Sequence, residues 1–164
     1  MLIRTIGPRP GGTVTHASAQ TWDGLRLELE RALAALPDGG FVVLGEPSPA
    51  RVRAAGLRGL LGAHVTPAPT RFVQALRSGD QLGVECVGAA SFGGPLPISP
   101  AVDARLRALG WFAPGDADYE SMGGPAYRRW IAFADPGAAA ELLVASLEVL
   151  GADPSDPMEL TTGR

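Results

Sequence analysis

The sequence predicts an α+β fold in which an antiparallel β-sheet is flanked by α-helices. Three observations lead there. Two segments of alternating hydrophobicity, Arg71 to Leu76 and Gln81 to Val87, flank a turn sequence; helical periodicity with well-formed starts recurs in three stretches; and the strand–helix–strand units that build a parallel sheet are few. The 164 residues, 46% hydrophobic and 19% charged, amount to one domain that can bury a core. The expected organisation is a single domain over 1–164, with an irregular segment over residues 1–20 in which Leu2 to Ile6 can form a short strand.

The first helix is expected from Thr21 to Leu36. Leu25, Leu29, Ala32, Leu33 and Leu36 recur on one face, and Pro37-Asp38-Gly39-Gly40 stops it. Phe41-Val42-Val43-Leu44 is a short apolar run between turn signals, as in a buried strand. Ser48 to Gly62 reads as either helix or loop. Ser48-Pro49 makes a good start, but Gly56 and Gly59 each cost roughly 1 kcal/mol in a helix relative to Ala. Arg51, Arg53 and Arg58 there form a solvated face rather than a phosphate site, since no aromatic residues interleave them.

The hairpin is the clearest local pattern. With Ser78-Gly79 at the tip, Leu76 faces Gln81, Gln74 faces Gly83 and Phe72 faces Glu85. Val73, Ala75, Leu82, Val84 and Cys86 then share an apolar face, while Phe72, Gln74, Leu76, Gln81, Gly83 and Glu85 share a mixed one. A slip of one residue would scramble that separation.

Ser99-Pro100 opens the next helix, with Val102, Leu106 and Leu109 along one side, an Asp103–Arg107 pair at i,i+4 and Gly110 as the stop. Trp111 and Phe112 are then placed to fold back onto the core. A loop rich in Gly and acids follows, Tyr127 to Phe133 reads as a strand, and Asp135-Pro136 starts a last helix that buries Leu143, Leu147 and Leu150 before Gly151.

Composition excludes several functions. A net charge of −3 argues against a nucleic-acid partner. All 14 basic residues are Arg, which removes the ammonium group that Schiff-base and P-loop chemistry require. No stretch reads as a membrane span or a secretory leader, so the expected compartment is the cytoplasm. The bias toward Ala, Gly, Pro and Arg suits a GC-rich bacterial genome.

No catalytic, cofactor or metal constellation is expected either. Cys86, the one cysteine, could pair only with His64 as nucleophile and base, yet it falls on the apolar strand face where thiols are inert. Asp116, Asp118 and Glu120 alternate like the start of a calcium loop, but Ser121 and Tyr127 stand where that loop needs Gly and Glu. Glu85, a carboxylate in mid-strand, lies either on a solvated sheet face or against a partner.

Against this background the chain resembles the TY-Chap domains. The likeness is carried by Arg71-Phe72-Val73-Gln74, by Glu85 in the next strand, by Leu109-Gly110-Trp111 with Pro114, by a strand bearing Trp130, and by an Ala-rich last helix ending in Gly151-Ala152-Asp153-Pro154. It spans about Leu33 to Leu160, and it departs where Val87-Gly88-Ala89 and Asp118-Tyr119 replace Asn-containing pairs. TY-Chap domains are similar to type III secretion chaperones of the CesT kind and to YbjN proteins. The resemblance implies a type III secretion chaperone-like sheet with flanking helices, and a non-enzymatic, ATP-independent holder of a protein or peptide partner.

The residues themselves supply the candidate docking surface: Phe72, Gln74, Leu76 and Glu85 on the mixed face, with Trp111 and Trp130 as aromatic anchors or core residues. Two competing readings are a structural or regulatory subunit that forms a homodimer through its helices, and a small enzyme using Cys86.

Overall fold

A computed structural model describes residues 12–17, 19–47, 70–119 and 125–164. The expectations for Leu2 to Ile6 and Ser48 to Gly62, and those resting on His64 and Glu120, lie outside the described residues.

Each helix begins where a capping side chain meets an apolar repeat. Helix α1 (Trp22–Ala34) is capped by the Thr21 hydroxyl, which accepts from the Gly24 amide, and Leu25, Leu29 and Leu33 bury one face at i,i+4 spacing. Helix α2 (Pro100–Ala108) starts at Ser99, whose hydroxyl accepts from Val102, with Pro100 in the first turn. Helix α3 (Pro136–Val149) starts at Asp135, whose carboxylate accepts from Ala138. It is the most apolar of the three and buries Ala139, Ala140, Leu143 and Leu147.

The strands are β1 (Thr13–His16), β2 (Phe41–Gly45), β3 (Phe72–Ser78), β4 (Gln81–Cys86), β5 (Tyr127–Ala132) and β6 (Glu159–Gly163). They form one antiparallel sheet in the order β1-β6-β2-β3-β4-β5. The fold is therefore α+β with an antiparallel sheet, as expected, and among the described residues that sheet has six strands. Helices α1 and α3 pack on each other, and α3 lies against β3, β4 and β5. Residues directly opposed across an antiparallel pair point to the same side. Val42, Leu44, Val73, Ala75, Leu82, Val84 and Cys86 consequently share the side that meets the helices, and all are buried.

Two strands were not expected. Thr13-Val14-Thr15-His16 falls in the segment read as irregular, and Glu159 to Gly163 lies beyond the last expected element. Both are short and largely polar, so neither shows the apolar run or long alternation that marks a strand. Their Thr and Val content is the only signal, and what fixes them is pairing: β6 inserts between β1 and β2, with Thr161 opposed to Val14 on one side and to Val43 on the other.

The β3–β4 hairpin is present, but its register differs from the expected one by two residues. Ser78 opposes Gln81, so Gly79-Asp80 forms the tip; Gln74, not Phe72, opposes Glu85, and Val73 opposes Cys86. Gly79 takes a φ of +61°, as the first central residue of a type II′ turn does, which moves the tip one position along the chain. Because the shift is even, every side chain keeps its face.

Candidate functional site

The sheet side facing away from α1 and α3 is organised as two cross-strand rows. One runs Phe41–Leu76–Gly83–Trp130 and the other Val43–Gln74–Glu85–Arg128. In the first row Gly83 contributes no side chain and is buried between Leu76 and Trp130, which are both half-buried. Phe72, also half-buried, stands opposite Gly45 beside these rows.

The second row is polar and tightly linked. Arg128 Nη2 lies 2.6 Å from Glu85 Oε1, and Gln74 Nε2 donates to Glu85 Oε2 at 2.5 Å. Glu85 is only 8% exposed and Arg128 5%. A carboxylate so enclosed persists because its charge is matched and both of its oxygens accept hydrogen bonds. Glu85 is thus neither a solvated mid-strand acid nor a freely accessible one. Arg128 itself was not picked out from the sequence. The available signal was the pair Arg128-Arg129 inside an apolar strand, where a period of two must send one guanidinium to each face.

Arg128 is held from both sides. Its backbone exchanges hydrogen bonds with Phe112 at 3.1 and 2.9 Å, adding a bridge outside β5. Tyr119 stands near enough to sense both charges of the pair, and burial is the main cause that pushes its phenol above the ordinary value. Tyr119 also donates its O–H to the Ala126 carbonyl at 3.1 Å, tying this loop to the start of β5.

Trp111 belongs elsewhere. It is 2% exposed within the helix-side core, where its indole Nε1 donates to the Ser146 hydroxyl at 2.8 Å. Of the two tryptophans named as anchors, only Trp130 shares a face with Phe72, Gln74, Leu76 and Glu85.

Beyond β5, a groove of about 500 Å³ separates the strand from α3, lined among others by Leu109, Arg129, Trp130, Asp135, Glu141 and Leu142. Its mixed lining contains no nucleophile beside a base. Cys86 is 1% exposed, and burial pushes its thiol up to about 12, far from the thiolate that cysteine chemistry needs at neutral pH. Among the described residues no cluster of His, Cys, Asp or Glu could hold a metal ion, and no helix is long and apolar enough to cross a membrane. Asp116, at the start of the acidic alternation, accepts from Arg107 and from the Ala113 amide.

Fold and site together define a small α+β protein with helices packed on one side of its sheet and a polar–aromatic strip on the other. A family model described as T3SS (YopN, CesT) and YbjN peptide-binding chaperone 3, TY-Chap3, matches residues 15–162, and the chain belongs to that family. No curated protein and no solved structure matches it.

Proposed function

We propose that this protein is a cytoplasmic, non-enzymatic chaperone or adaptor that holds a partner polypeptide in an extended form without ATP. The partner lies across the strip formed by Phe72, Gln74, Leu76 and Trp130, with Glu85 and Arg128 as its rigid floor. The observation that carries this reading is membership of a peptide-binding chaperone family over residues 15–162, from β1 to β6. The strip supports it physically. Phe72, Leu76 and Trp130 on that side are half-buried, so each keeps apolar surface that an extended peptide can cover.

The test is retention of peptides on an immobilised array of 12-residue sequences, followed by affinity measurement in solution. Truncating an aromatic anchor costs roughly 2 kcal/mol or more of binding, which is about thirtyfold. Trp130→Ala and Leu76→Ser are each expected to weaken binding while the melting curve stays cooperative. A wild-type protein that retains no peptide at all would remove this reading. Light scattering on the same samples checks for self-association: a dimer that dissociates on Trp130→Ala would assign the strip to a second copy instead.

A further inference from the structure

The outer edge of the sheet, along β5, is claimed over only part of its length. Arg128 exchanges both of its main-chain hydrogen bonds with Phe112, away from β4, whereas the Phe133 amide donates to the Asp80 carbonyl on the β4 side. Main-chain groups alternate between the two sides along an antiparallel strand, so Trp130 and Ala132 direct theirs outward as Arg128 does. The Ala132 carbonyl accepts from the Asp135 amide. The Trp130 N–H and C=O and the Ala132 N–H have no hydrogen-bond partner among the described residues. This stretch borders open space. Ala132 is exposed, Trp130 is half-buried, and four successive residues, Arg129 to Ala132, line the groove of about 500 Å³ in front of α3. An uncovered strand edge is a template for another chain, and Phe112 covers this one at Arg128 alone.

We propose that a segment of the bound polypeptide adds to β5 over Trp130–Ala132 as a short strand and places one apolar side chain in the groove against α3. This rests on the chaperone reading above and names a second contact beside the strip. The occupant is an extended main chain because the free groups run donor, acceptor, donor along one edge, a pattern that a chain in β conformation matches whatever its sequence. Side chains alternate along such a segment. The residue opposite Trp130 joins the strip side of the sheet, and the one opposite Ile131 turns into the groove. There Leu109, Leu142 and Ala145 are buried or half-buried, while the exposed Arg129, Asp135 and Glu141 carry both signs of charge, so the lining selects an apolar side chain over a charged one. The Phe112 bridge also fixes where the added strand stops, since the chain's own main chain already occupies the edge at Arg128.

The experiment uses the full chain and the tightest peptide found on the array. Affinities are measured for the wild type and for two variants outside the strip. Ala132→Pro deletes an outward N–H and sets a ring on the edge, a place where a strand tolerates proline. Ala138→Trp fills the groove from an exposed position on α3, so it keeps the fold even where Ala132→Pro does not. Each variant is expected to bind about tenfold more weakly than the wild type. Each amide of the peptide is also replaced in turn by an ester, which deletes one N–H. One position, the donor to the Trp130 carbonyl, should lose about tenfold in the wild type, and a peptide residue next to it should lose as much when changed from apolar to Asp. If Leu76→Ser weakens binding but both edge variants stay within about twofold of the wild type, the added strand is wrong while the chaperone reading survives. If light scattering shows a dimer that Ala132→Pro dissociates, the edge belongs to a second copy and the proposal falls. If the wild type retains no peptide, both readings fall together.

Discussion

The indole of Trp111 donates to the Ser146 hydroxyl across 2.8 Å in a fully buried setting, and the Ser146 hydroxyl in turn donates to the Leu142 carbonyl one helical turn earlier, at 2.7 Å. A tryptophan just after a helix stop is thereby fastened to the C-terminal third of α3. Ser146→Ala would leave the indole N–H buried without an acceptor, at a cost of about 1–3 kcal/mol. Chemical denaturation should show that loss, with peptide affinity unchanged because the pair lies on the helix side of the sheet.

The β3–β4 turn allows a second prediction. Around Gly79 nothing would meet an added Cβ within 4 Å, so the only penalty for a side chain there is its φ of +61°. Gly79→Ala should cost roughly 1–2 kcal/mol in denaturant unfolding. Gly79→Asn, which tolerates this region better, should recover part of it.

A third concerns acid. Asp103 accepts from the Tyr127 hydroxyl at 2.6 Å and pairs with Arg107, which also reaches Asp116. The Tyr127 hydrogen bond, aided by Arg107, holds the Asp103 carboxyl below its ordinary value; for Asp116 the Arg107 contact does most of the same. Groups depressed in the folded state contribute stability that is present above their unfolded pKa, near 4, and is lost as pH falls through the lower folded value. Unfolding free energy should therefore decline below about pH 4. Asp103→Asn should flatten that decline and lower stability at pH 7, as read from melts across pH 2–7.

Glu85 gives a fourth. Removing one member of a buried ion pair strands the other, a loss of about 3–5 kcal/mol. Glu85→Ala should accordingly destabilise the fold by that order, seen as a large drop in melting temperature. Binding tests therefore belong at Trp130 and Leu76, where loss of affinity and loss of structure separate.

A fifth is kinetic. With its thiol buried and raised to about 12, Cys86 should react with an aromatic disulfide reagent at neutral pH only as fast as the protein opens, and completely in denaturant. Prompt labelling of the native protein would contradict the buried placement.

What was legible in the sequence was local. Thr21, Ser99 and Asp135 announce their helices because a short polar side chain before an apolar repeat has one efficient use, satisfying the first amides. The two faces of the hairpin were legible because alternation survives any even error of register. What was hidden depends on partners distant along the chain. The Gln74–Glu85–Arg128 row exists only once β5 docks on β4, and Thr-rich β1 and β6 become strands only beside each other and β2. Phe72 was matched to Glu85 because a turn rule with glycine second was chosen over one with glycine first. Trp111 and Trp130 look alike in sequence, yet the Gly110 stop turns one inward while strand period places the other on the sheet side away from α1 and α3.

The position of β6 has a consequence for synthesis. It occupies the interior of the sheet, yet it is made after every other strand, so a nascent chain that has emerged only to α3 leaves β2 with an unclaimed edge and β1 with nothing to join. The hairpin and β5 can assemble on the ribosome in the order they appear. The pairing of β1 and β2 through β6 can complete only after residue 163 has left the exit tunnel.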